Sequence, residues 1–418
     1  PGYRRRSRAP SPPLRHGAPL ARPGRIMGLR SVSRLSMNDA VPLRFSPVRF
    51  VLAIGASTAL IMSAPFIGQI RSAILRAFPG QFVAIMGIAV GVATGAALGA
   101  AVIRIRDRRL LRYGLIVLAL VTAVTYSIRS QLGNPVSDAV ERFHFVEYGV
   151  ITFLFYRAWR PLDDGGVLTL PILAGLIVGT LEEWFQWFIP ARIGEVRDVL
   201  LNGAAIVSGL LFSLAIDPPA RWNLRCGRRS LLQIAHLAIA GSIVFACFLD
   251  SVHLGYEIRD PEIGVFRSIY SAADLDRLSR DRAARWASAP PPVRPPRLSR
   301  EDQYLSEGLL HVQARNNAWE GDIATAWFEN RILEKYFAPV LAIGHRWPPE
   351  QRADGQRRVG IVAASSRPFV SHAQGEFPIL TWSKSAFWAV VAAIVLAIAL
   401  GRALVVRSVA RTNAPSPT

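Results

Sequence analysis

The chain has 418 residues, 51% of them hydrophobic, and a formal net charge of +20 at pH 7. Its apolar residues gather into blocks of about twenty, which excludes an ordinary water-soluble globular protein and points to a polytopic membrane protein. All basic residues except Lys335 and Lys384 are arginine, and no aromatic or recognition motif accompanies the N-terminal arginines, so the charge gives no ground for a nucleic-acid partner.

Residues 1–49 are rich in Arg, Pro and Ser without an apolar period and read as a basic, disordered tail, with Met27 and Met37 as alternative start residues. Eight stretches suited to transmembrane helices follow, at 50–70, 81–103, 110–128, 143–159, 168–189, 199–216, 231–249 and 385–406. The fourth is the shortest and most polar. The expected fold class is thus an all-α polytopic membrane protein with about eight transmembrane helices, seven of them in a domain spanning 50–249 and the last at 385–406. In the second stretch, Gly87, Gly91, Gly95 and Gly99 are spaced by four and predict a face for close helix packing. Cys226 and Cys247 stand at opposite ends of the seventh stretch, which argues against a disulfide, and two cysteines cannot build a thiolate metal site.

Charge beside the spans sets the orientation, because cytoplasmic loops retain Lys and Arg. With the N-terminus inside, segments 1–49, 104–112, 157–164, 217–229 and 402–411 together carry the entire +20, and all other segments sum to zero. Both ends, including the tail 407–418, are expected on the cytoplasmic side of the cytoplasmic (inner) membrane. Residues 250–384 then form an extracytoplasmic, mainly helical insert between the last two spans. Within it, 271–287 reads as an exposed helix and 289–300 as a Pro-rich linker. Between 301 and 338, Trp319, Ile323, Trp327, Leu333 and Phe337 recur at helical spacing and predict a helical hairpin or long amphipathic helix, with a short strand at "RVGIVAAS", 358–365. His253, His311, His345 and His372 lack ligand spacing and read as structural or solvent-facing.

The stretch "EEWFQWFIPARIGEVRDVLLNG", residues 182–203, sets charged groups beside and within the fifth and sixth spans. Glu182, Glu183 and Gln186 share one side of the fifth helix by their i, i+3 and i, i+4 spacing, about 10 Å below its expected end at Ile189. Arg192 stands in the following turn, and Asp198 and Asn202 lie on one stripe of the sixth helix. At the same face the fourth helix places Glu141, His144 and Tyr148 on one side. Charged groups in a membrane normally face the bundle interior and pair. Two readings are open: a structural clamp, with Arg192 bridging Glu182 or Asp198 and Asn202 capping the loop, or a ligand-binding or catalytic cleft. His144, Glu182 and Glu183 are the candidates for acid–base chemistry. No cofactor or metal site is indicated: Glu141-x-x-His144 is half of a di-iron pattern, and no second half follows.

These residues carry a resemblance to the VanZ-like membrane proteins over about residues 110–216. One motif is a His with an aromatic four residues later, here His144 and Tyr148. The other is an acidic-Glu-x-x-Gln…Pro-x-Arg…Asp-x-x-x-Asn run, matched by Glu182, Glu183, Gln186, Pro190, Arg192, Asp198 and Asn202. The Asp-Lys pair often found before the family's His is replaced by Val140 and Glu141, with Arg142 next. The family is known through resistance to the lipoglycopeptide teicoplanin, so the resemblance implies an integral membrane protein acting at the outer face of the cytoplasmic membrane. It assigns no reaction. The expectation is a site that binds or processes an amphiphilic envelope molecule. The alternative is an envelope assembly or scaffold protein whose 250–384 insert recruits a protein partner not identified by the sequence.

Overall fold

The computed structural model describes residues 46–131, 133–190, 192–219, 222–291, 298, 300–362, 369–375 and 377–412. Residues 1–45 of the expected 1–49 tail, most of the Pro-rich linker and residues 413–418 lie outside the described residues, and the end of that expected tail instead begins the first helix at Pro47. Helices occupy all eight expected stretches: α1 Pro47–Ala77, α2 Phe82–Arg104, α3 Arg109–Arg129, α4 Pro135–Trp159, α5 Gly166–Gln186, α6 Val196–Ile216 and α7 Arg228–Val252, and after the insert a last helix beginning at Lys384. Seven of them are long and apolar enough to cross a membrane; α4 is the exception by composition. The chain is a helical, multi-pass membrane protein.

The polar α4 is tolerated because α1, α2, α5 and α6 surround it. Its Tyr148, Ile151, Phe155 and Trp159 pack with Leu170, Ala174 and Val178 of α5 and Ala205, Ile206 and Leu210 of α6. Between apolar helices in lipid, such contact rests on close packing rather than on removal of water. Two glycines make the approach possible. A Cβ at Gly209 would stand 2.8 Å from the Gly149 Cα, and one at Gly175 3.0 Å from Ile206. By contrast Gly87, Gly91, Gly95 and Gly99 are exposed, with nothing within 4 Å of an added Cβ. The expected packing face on α2 is therefore not used within this chain, because α2 meets its neighbours through other residues, Phe82 and Ala101 among those it buries.

One end of the bundle is closed by backbone capping. Arg112 donates from Nε to Ala215 O (2.6 Å) and from a terminal nitrogen to Ile216 O (2.8 Å), meeting carbonyls that the end of α6 leaves open. Asp164 accepts from the backbone N–H groups of Gly166 and Gly227 and from Ser230 Oγ, tying the starts of α5 and α7 together. The opposite end carries the α5–α6 turn, the start of α4 and the end of α7, from which the chain enters the insert.

The insert has its own core. Strands β1 Tyr256–Asp260 and β2 Gly264–Ser268 form an antiparallel hairpin that pairs Ile258 with Phe266. It is followed by α8 Ala272–Ser288, α9 Gln303–Ala318, α10 Ile323–Tyr336, a single turn α11 Ala338–Val340, α12 Pro349–Val362 and the returning helix α13 Lys384–Thr412. Phe266, Leu275, Tyr304, Leu305, Ile332, Leu333 and Phe337 are buried together. The expected helix at 271–287 and helical hairpin across 301–338 are present. The expected strand at 358–365 is not: residues 358–362 continue α12, because Gly355 seats that helix against Trp319, Trp327 and Trp347, while 363–365 lie outside the described residues.

Candidate functional site

At the insert end of the bundle, α5 stops at Gln186, one turn short of the expected Ile189. Phe188, Ile189 and Arg192 enter hydrogen-bonded turns around Pro190, so Glu182 lies about 6 Å from the helix end at 1.5 Å per residue. Its Oε2 accepts from Tyr148 Oη at 2.5 Å, which joins α4 to α5. Gln186 Nε2 donates to Glu182 Oε1 at 3.1 Å and to Glu183 Oε1 at 3.2 Å, holding the adjacent carboxyls in one arrangement. The second oxygen of Glu183 accepts from the backbone N–H of Glu195 at 3.4 Å, where α6 is about to begin. Gly194 permits this, since a Cβ there would meet Glu183 O at 2.5 Å. Tyr148, Glu182, Glu183, Gln186 and Asn202 are all buried.

Arg197, rather than Arg192, forms the ionic clamp. Its guanidinium pairs with Glu141 of α4 and with Asp198 (3.3 Å) and donates to Ser130 O (2.9 Å) at the end of α3. Arg192 makes no ion pair with Glu182 or Asp198 among the described residues, although both carboxyls are within its electrostatic reach. The expected Arg192 bridge is thus corrected. Opposite charge is abundant around both arginines, and only the helix geometry decides which one meets a carboxylate. The expected cap by Asn202 is also corrected: this residue lies inside α6 beyond its first turn, and neither side-chain amide atom has a hydrogen-bond partner among the described residues.

His144 faces Glu147, with Nδ1 3.6 Å from a carboxylate oxygen, and stacks on Tyr148 with ring centroids 6.2 Å apart. No hydrogen bond joins it to Glu182 or Glu183 among the described residues, and the Tyr148 hydroxyl occupies one Glu182 oxygen. The three acid–base candidates therefore share a neighbourhood without forming a relay. Among the described residues, no group of three or more His, Cys, Asp or Glu side chains is placed to hold a metal ion.

What sets the cluster apart is its unmet hydrogen-bonding capacity. Buried atoms without a partner among the described residues include His144 Nδ1, Trp184 Nε1, Arg192 Nε and both Asn202 amide atoms. Most buried polar groups in a folded protein are paired, and an unpaired one costs roughly 1–3 kcal/mol. The floor of the cluster is fully buried, whereas His144, Glu147 and Arg192 are only half-buried and form its open side.

The insert holds this end of the bundle. His253, fully buried just past α7, accepts the Val196 backbone N–H on Nε2 at 3.0 Å, so its proton lies on Nδ1, which donates to Pro378 O at 2.9 Å. Burial pushes the imidazole down to about 4, against the hydrogen bond to Pro378 and the charge of Glu195. Phe377 stacks against His253 and packs with Trp187, Val199 and Phe248. The Arg300 guanidinium lies 4.7 Å over the Phe188 ring. Sequence reading gives Arg197 no role of its own; it takes His253 as structural or solvent-facing, and here it is structural, buried and bonded through both ring nitrogens. The place of Arg197 directly before Asp198 is a signal, but Arg192 stands in the same turn and offers the same charge.

A second buried polar group lies inside the insert. Glu329 accepts from Ser371 Oγ at 2.5 Å and contacts His311 Nδ1 at 2.5 Å, and Glu307 accepts from Ser268 Oγ at 2.6 Å and the Ile269 backbone N–H at 2.8 Å. These groups satisfy each other and tie the hairpin, α9 and α10 to the return segment, a structural arrangement. Two shallow pockets of about 390 and 460 Å³ also lie on the insert, at Leu341–Arg346 and between Asp260, Phe328 and Phe369; neither reaches the membrane cluster. No family model, curated protein or solved structure matches the chain.

Proposed function

We propose that the chain is a VanZ-like protein of the cytoplasmic membrane, with eight spanning helices counting α4, both ends inside and the insert outside. In this reading the cluster between α4, α5 and α6 is an outer-face site that binds an amphiphilic envelope molecule, of the kind that would link it to teicoplanin-type resistance. The observation that carries it is the set of unmet polar atoms on Asn202, Arg192 and His144, at one end of the bundle with carboxyls that are themselves held in place. A purely structural clamp would be expected to satisfy most of its members: among the described residues Arg197 leaves one guanidinium nitrogen, Nε, without a partner, whereas Asn202 leaves both amide atoms.

Mass spectrometry of lipids and other amphiphiles retained by the purified protein tests this reading. An envelope component enriched in the wild type is expected to be lost in Asn202→Leu and changed in amount in Arg192→Ala at equal protein yield. An unchanged profile in both variants would reject the binding site.

The insert favours a second reading, as a platform for an envelope protein, because it has a core distinct from that of the bundle. If residues 250–384 tethered by an unrelated helix restored the cellular role of the whole chain, the membrane cluster would not be the functional centre.

A further inference from the structure

We infer that the polar site takes an amphiphile whose headgroup carries an ammonium group. The inference rests on reading the cluster as a binding site and goes on to name the charge of its ligand. The first ground is electrostatic. Arg197 is engaged by Glu141, Asp198 and Ser130 O. What remains around the buried floor is Glu147, Glu182 and Glu183, successive neighbours in one electrostatic chain. Facing them is the guanidinium of Arg192, with Arg71 of α1 near it at the rim and the carboxylate of Asp198 also within reach. Carboxyls thus outnumber the guanidiniums not already paired. In a low-dielectric surrounding such an excess is relieved by protons or by another cation that takes their place, whereas a phosphate or carboxylate headgroup would add to it.

The second ground is Asn202. It is 1% exposed and both of its amide atoms lack a partner among the described residues. A Cβ built on Gly179 would touch Asn202 Nδ2 and Tyr148 Cε1, each at 3.4 Å, so the amide and the tyrosine that binds Glu182 flank the same glycine. Its carbonyl oxygen, without a partner among the described residues, is an acceptor that suits the N–H donors of an ammonium group. The third ground is that this rim already receives a cation on an aromatic face, where Arg300 of the insert covers Phe188. Half-buried Glu147 and His144 leave the approach from the α4 side open.

The test uses the full chain in nanodiscs of neutral phosphatidylcholine, titrated separately with hexadecylamine and hexadecyl phosphate, with bound molecules counted by native mass spectrometry. One saturable hexadecylamine per chain is expected, weakened at least tenfold in Glu183→Gln and in Glu147→Gln, with hexadecyl phosphate bound alike by wild type and variants. Glu147 is half-buried, so its variant serves if loss of the buried Glu183 charge prevents folding. Saturable hexadecyl phosphate binding that disappears in Arg192→Ala would overturn the ammonium assignment and leave the binding-site reading standing. If none of these substitutions changes the binding of either probe, both are overturned.

Discussion

Arg192 and Arg197 stand five residues apart and differ in what they touch. Both leave Nε without a partner among the described residues, but Arg197 bridges three helices through Glu141, Asp198 and Ser130 O, whereas Arg192 makes no ion pair among them. Removing one partner of a substantially buried pair strands the other charges, at a cost of up to about 3–5 kcal/mol and less where water reaches them. Arg197→Ala is therefore expected to lower the thermal unfolding midpoint in nanodiscs by about 3 °C or more, and Arg192→Ala to leave it within about half a degree, since in a chain of this length 1 kcal/mol corresponds to about a degree. Equal losses would make Arg192 a structural residue. Tyr148→Phe removes the hydroxyl that donates to Glu182 and should cost roughly 1–3 kcal/mol by the same measurement, through the carboxyl left without its donor. Helical spacing in the sequence places Glu182, Glu183, Gln186, Asp198 and Asn202 together, because i, i+3 and i, i+4 positions share a side. It cannot choose between two arginines in a turn, since that choice depends on how α3 and α4 approach α6.

Elements were legible wherever a block of apolar residues announced a span, and less so at their ends. Helix α4 begins at Pro135, eight residues before the expected start, because Asn134 caps it by accepting from the Val136 and Ser137 backbone N–H groups. The hairpin at 256–268 was missed. Its five-residue strands alternate only briefly, and its turn is organised by Asp260 accepting from the Glu262 and Ile263 backbone N–H groups. Glycine spacing likewise does not say which glycines meet a neighbour. Gly209→Ala is expected to destabilise by roughly 1–3 kcal/mol through collision with Gly149, while Gly91→Ala on the open face of α2 should be neutral or slightly stabilising in the same unfolding assay.

At the junction of α6, α7 and the return segment, His253 is neutral in the folded protein, its value depressed from 6.5 to about 4 by burial. The stability gained from that neutrality is full above about 6.5 and is lost as the pH falls toward 4, since the unfolded chain then binds the proton first. Limited proteolysis of the insert should accelerate across this interval and follow a flatter profile in His253→Gln. An identical pH profile in that variant would remove His253 from the account.

Across the whole molecule, the insert and the polar cluster occupy the same end of the bundle, tied by His253, Phe377 and Arg300. In the proposed topology that end lies outside the cell. In a chain lacking Cys226 and Cys247, a membrane-impermeant maleimide is expected to label Arg277→Cys in intact cells and Asn223→Cys only after permeabilisation; the reverse pattern would invert the topology. Fold class was readable because hydropathy records the solvent each segment meets. The contact between insert and bundle was not readable, because it rests on single residues from distant segments whose spacing carries no period. The measurement that bears most directly on the binding site is a cryo-electron-microscopy map of the full chain in native-lipid nanodiscs. The account predicts non-protein density at the open side of α4, α5 and α6, within hydrogen-bonding distance of the Asn202 amide and the Glu182–Glu183 pair. A map in which Asn202 and Arg192 bond to the protein itself and no such density is present would contradict it.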